Sequence, residues 1–78
     1  MSATKDFFMK LQDAIVEVLY ENNLEFEEIV ENLENEFEEE FVTGYIDTSG
    51  VIMALDILTE DNRIMFDNRT DQYCLLDY

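Results

Sequence analysis

The stretch Thr48-Ser-Gly-Val-Ile-Met-Ala-Leu-Asp-Ile-Leu-Thr-Glu-Asp-Asn-Arg-Ile-Met-Phe66 decides how the chain folds. Val51, Ile52, Leu55 and Leu58 fall at helical steps and give an inner face. Asp47, Thr48 and Ser49 each suit a helix start, and Asn62 tolerates the left-handed backbone that stops one. The spacing predicts a helix that runs into a strand near Arg63. Over so short an apolar run, alternation leaves a strand across 51–58 as the rival reading. No Lys or Arg precedes Arg63 here, and the charged groups on offer are Asp47, Asp56, Glu60 and Asp61. A helix that reads DNA needs the opposite sign, because positive groups against phosphates supply most of the sequence-independent affinity.

Outward from that stretch, residues 63–67 and 72–76 read as two short apolar strands around the turn-forming Asn68-Arg-Thr-Asp71, a terminal hairpin. On the other side, 41–46 carries β-branched and aromatic residues around Gly44. It is expected to be a connector that pairs briefly with the hairpin as a short third strand. Phe26, Ile29, Val30, Leu33 and Phe37 keep helical spacing after a short link at Leu24. A first helix opens at Ser2 or Thr4 and runs to about Asn22, with Phe7, Phe8, Leu11, Ile15, Val18 and Leu19 on one face. Met9, Val16 and Tyr20 widen that face, as in a helix packed on two sides. The expected class is α+β: one domain over 1–78, with three helices and a C-terminal β-hairpin.

The chain has 78 residues, 47% of them apolar, with six Phe and four Tyr, enough for one small core. Twenty Asp and Glu against four Lys and Arg give a net charge of −16. Such a field disfavours nucleic acid, anionic membranes and acidic substrates as partners, and favours basic protein surfaces. No basic flank leads into an apolar leader and no stretch is long enough to span a bilayer, so the expected location is cytoplasmic, without membrane contact.

Chemistry is sparsely provided for. There is no His, there are two Gly in all, and no nucleophile stands beside a base in a known pattern, so neither an enzyme nor a cofactor is expected. Glu36, Glu38, Glu39 and Glu40, or Asp67 with Asp71, lack the alternating ligands and central Gly of a calcium loop and read as solvated charge. Without His, the single Cys74 excludes an internal disulfide and most zinc sites, and its apolar run makes it a small buried thiol. Asn68-Arg-Thr70 matches a glycosylation acceptor but reads as a turn.

The strongest candidate is acidic. Between residues 25 and 40, nine of sixteen residues are Glu. Glu27, Glu31, Glu34 and Glu38 recur at steps of four, three and four on the outward side of the second helix. Carboxylates one turn apart lie roughly 5 to 6 Å from each other, on the scale of successive phosphates. With Asp47, Asp56, Glu60 and Asp61 they form the expected partner-binding set, for which a solubilising helix face is the plain alternative.

Taken in order, Ala14-Ile-Val-Glu-Val-Leu19, Leu24-Glu-Phe-Glu-Glu-Ile29 with Leu33, Val51-x-x-Ala-Leu-x-x-Leu58, and Asn62-Arg-Ile-Met-Phe66 with Tyr73-x-Leu75 resemble the winged-helix superfamily over residues 10–76. The resemblance implies that the second helix supports the third, that the third occupies the place of a recognition helix, and that the hairpin is the wing. The chain departs from DNA-binding members at Asp56 and Glu60 on that helix, and only Arg63 and Arg69 near the wing are positive. It looks like the protein-binding branch found in transcription machinery and is similar to the small domain of the delta subunit of bacterial RNA polymerase.

Two functions follow as expectations. One is an acidic inhibitor of phage or mobile-element type that imitates nucleic acid and blocks a basic nucleic-acid-binding surface. The other is a transcription accessory module that binds RNA polymerase or a regulator through an apolar patch near Met65 and Tyr78. A true DNA-binding regulator would require dimerisation or a cation to reshape the surface. Adaptation to high salt is disfavoured by the many Asn, Ile and Phe residues.

Overall fold

In the computed structural model, which describes residues 2–76 and their side chains from residue 7 onward, four helices pack with a three-stranded antiparallel sheet. The elements are α1 (Ser2–Glu21), β1 (Leu24–Glu25), α2 (Phe26–Glu36), α3 (Glu38–Thr43), α4 (Thr48–Glu60), β2 (Ile64–Asp67) and β3 (Gln72–Leu75). The sheet order is β1-β3-β2. The fold is α+β, with four helices where three were expected. The caps expected at Ser2 or Thr4, and Tyr78 in the apolar patch, lie outside the described side chains.

Heptad-like spacing becomes a core in the way the sequence suggests. Leu11, Ala14, Ile15 and Leu19 of α1 meet Ile29 and Leu33 of α2, Val51, Ala54, Leu55 and Leu58 of α4, Ile46 of the preceding loop and Ile64 of β2. Removing these apolar groups from water is the main term holding so small and so charged a chain together. Residues 51–58 are helical, which resolves the helix-or-strand ambiguity. Asp47 caps that helix: its Oδ1 accepts the Gly50 N–H at 3.0 Å. At the far end Asn62 takes φ 61°, the left-handed stop that its side chain tolerates.

The hairpin has the expected strands and turn. Ile64 faces Leu75, Met65 faces Cys74 and Phe66 faces Tyr73, and Asp71 takes φ 58° at the end of the turn. The third strand is not where it was expected. Residues 41–46 do not pair with the hairpin; Leu24 and Glu25 do, opposite Tyr73 and Gln72. Residues 38–43 instead form a short helix, because Phe37 and Phe41 sit one turn apart and both pack against the core. Phe7 stacks edge-on against Phe37 at 5.6 Å and against Tyr45 at 4.9 Å, fixing the segment in place. Gly44, at φ 82°, closes α3 in a conformation that a side chain would strain.

Three burial expectations need correction. Ile52 is 47% exposed, because it lies one residue round the helix from Val51 and the inward face is filled by Val51, Ala54, Leu55 and Leu58. Met9 and Tyr20 are exposed too, so α1 packs on one side there. Cys74 is half-buried rather than buried: Tyr73 and Leu75 turn toward the core, and alternation sends Cys74 to the outer sheet face.

Candidate protein-docking face

The α2 helix is held by its inner side and charged on its outer flank. Ile29 and Leu33 are buried, and Phe26, Val30 and Phe37 pack against the core at its margins. The helix start is fixed by Glu28, whose Oε1 accepts the Glu25 N–H at 2.9 Å. Acidic residues in that first turn meet the positive end of the helix dipole. The Asn32 side chain donates to the Glu28 carbonyl at 2.8 Å.

At 3.6 residues per turn, Glu27, Glu31 and Glu34 fall within roughly 60° of arc beside Val30. All three are exposed. They border an open groove of about 450 Å³ lined by Phe26, Glu27, Glu28, Val30, Glu31, Glu34 and, from the first turn of α4, Thr48. The chain breaks helical geometry at Phe37 (φ −117°, ψ 48°), so Glu38 belongs to α3 rather than to one continuous stripe. Glu34 and Glu38 rejoin around a second groove of about 360 Å³ with Asn35, Phe41 and Val42.

The remaining expected residues are dispersed. The Asp47 carboxylate is engaged in capping α4. Asp56 and Glu60 are exposed on α4, and Asp61 follows its last turn. None of these four lines the α2 groove. Asp56 instead acts on Tyr73, whose phenol is raised above its ordinary pKa of 10.0 first by burial and then by the Asp56 charge. The exposed side of α4 also carries Ile52 and Met53, the latter 58% exposed, which alternation with the core face did not reveal.

Few of these charges are paired among the described residues. Among the described residues there is one ion pair, Arg69 Nε to Asp67 Oδ1 at 3.7 Å, within the hairpin turn. No described helix has a basic residue in its last turn, although α1 ends at Glu21, α2 at Glu36 and α4 at Glu60. Among the described residues, no polar or charged side chain is buried, and no group of three or more Asp, Glu or Cys is arranged to hold a metal ion. No described helix is long and apolar enough to cross a membrane.

Sequence reasoning found the acidic flank but missed its apolar component. Helical spacing places Phe26 and Val30 on the inner face, and Thr48 suits a helix start. The one available signal was Val42, an apolar β-branched residue that follows a run of Glu. Comparison with protein-family models, with curated proteins and with solved structures gives no match for this chain.

Proposed function

We propose that this chain is a non-enzymatic acidic protein-binding module of winged-helix type, which lays its α2 flank on a basic surface that otherwise holds nucleic acid. The reading describes an inhibitor of phage or mobile-element character. The observation behind it is the uncompensated carboxylate face: Glu27, Glu31 and Glu34 stand together, exposed, in a chain with sixteen more acidic than basic groups. The element order α1-β1-α2-α3-α4-β2-β3 with sheet order β1-β3-β2 supports the winged-helix part, with α4 in the recognition position and the β2–β3 turn as the wing.

Affinity capture from the native host with wild-type protein and with the Glu31→Lys, Glu34→Lys double variant tests the reading. A partner that binds nucleic acid is expected to be retained in a salt-sensitive way, released by added duplex DNA and lost with the double variant. An association indifferent to salt and to both reversals would refute it, as would sequence-selective capture of free duplex DNA by the purified chain.

A second reading rests on a different observation. Ile52, Met53 and Met65, the last 44% exposed, leave apolar surface on α4 and β2. That surface suits a transcription accessory module contacting RNA polymerase or a regulator without imitating DNA. Loss of binding on Met53→Ser or Met65→Ser, with the Glu flank intact, would select it.

A further inference from the structure

We infer that the α2 flank recognises a cationic polypeptide segment with interleaved apolar residues, rather than positive charge alone. This deepens the basic-partner reading and rests on it. Its basis is the composition of the two grooves. The first has Phe26 and Val30 as its apolar part and Glu27, Glu28, Glu31 and Glu34 around them. The second pairs Phe41 and Val42 with Glu34 and Glu38, and Glu34 is common to both. Apolar and anionic groups therefore alternate along the flank from Phe26 to Val42. Val42 is 79% exposed, so it contributes little to the core and is free to be covered.

The alternation restricts what fits. A metal ion or a small polyvalent cation would satisfy the carboxylates and leave the apolar floor in water. A second copy of this chain would bring another sixteen excess negative charges against the first. An anionic membrane surface is repelled for the same reason. Lys and Arg offer what the grooves present, an aliphatic stem that lies on Phe26 and Val30 and a charged head that reaches the carboxylates. Arg adds planar donors that pair with a carboxylate through two bonds. Apolar neighbours in the same segment would cover Phe41 and Val42. From Phe26 to Glu34 the flank runs about 12 Å, two turns of helix, so the first groove alone meets several consecutive side chains of the segment.

The test uses the full chain and two synthetic peptides of equal length and equal positive charge. One interleaves Arg with Leu, and the other interleaves Arg with Ser. Fluorescence anisotropy at about 150 mM salt, where free charges are screened beyond ~8 Å, is the readout. The Arg/Leu peptide is expected to bind about tenfold more tightly, and the Val30→Thr, Val42→Ser pair to remove most of that advantage while weakening the Arg/Ser peptide less, through the arginine stems that lie on Val30. Val42→Ser alone, at an exposed site, keeps the test valid if Val30→Thr loosens the fold. It is expected to cost the Arg/Leu peptide two- to threefold. Equal affinity for the two peptides, or indifference of the Arg/Leu peptide to the valine substitutions, overturns the inference while the basic-partner reading stands. Failure of both peptides to bind overturns both.

Discussion

Glu31→Gln should make the protein more stable while weakening its proposed interaction. Glu31 lies midway along α2, past the first turn, so it gains little from the positive helix end. Glu27 and Glu28 stand four and three residues before it and Glu34 three after it, all exposed, so it takes part in three like-charge pairs at neighbouring helical positions. Each pair costs roughly 0.2–0.5 kcal/mol, and removing all three amounts to roughly 0.6–1.5 kcal/mol. In a domain of this size that corresponds to a rise in Tm of about 2–12 °C. Gln keeps the length and helix propensity of Glu, which isolates the charge. Thermal unfolding followed by circular dichroism at low salt measures the gain, and a repeat near 1 M salt, where the Debye length is about 3 Å, should abolish most of it. A variant no more stable than wild type at low salt, or a gain that persists undiminished at high salt, would refute the view that α2 bears uncompensated repulsion.

The cap and the hairpin give two further tests. Asp47→Ala removes the acceptor for the Gly50 N–H and should cost about 1 kcal/mol by urea denaturation, with Asp47→Asn retaining most of the stability; an Ala variant as stable as wild type would show that the cap contributes nothing. Tyr73 has a folded pKa above its ordinary value of 10.0, so its neutral form is favoured by folding. Its contribution is fully present below about pH 10 and is lost as pH rises through the folded pKa. Tyr73→Phe should flatten that alkaline loss, and Asp56→Asn should lower the titration of Tyr73 as read by tyrosinate absorbance. A titration unmoved by Asp56→Asn would contradict the proximity of α4 to the hairpin.

Much of the fold was legible because the decisive signals are local. Val51, Leu55 and Leu58 are spaced for one face of a helix, Asp47 caps it and Asn62 stops it, and each of these depends on residues within a few positions. The hairpin was legible for the same reason, with turn-forming residues set between two apolar runs. The third strand was not, because Leu24 and Glu25 become a strand only through pairing with Tyr73 and Gln72, nearly fifty residues away. The helix at 38–43 was missed because Phe41, Val42 and Tyr45 carry strand propensity, which the anchoring of Phe37 and Phe41 on the core overrides. At the candidate site the Glu spacing gave the charged flank. The break at Phe37 and the groove with Thr48 depend on how α2 meets α3 and α4, which periodicity does not contain.

The position of the acidic groups argues that their number is not explained by solubility alone. A small domain stays soluble with a net charge of about 2–8, well below sixteen. Glu21, Glu36 and Glu60 stand at the negative ends of α1, α2 and α4, where a cation would be favourable and an anion is not. Each is a local cost that Lys or Gln would relieve, in a chain whose core is small to begin with. Sequences that keep locally unfavourable residues commonly do so at functional surfaces, where stability and activity pull in opposite directions. By that reasoning the repulsion within this domain is the counterpart of the proposed attraction to a basic partner. Stability and binding should then respond to charge substitutions with opposite signs along the α2 flank, and with the same sign in the core that supports it.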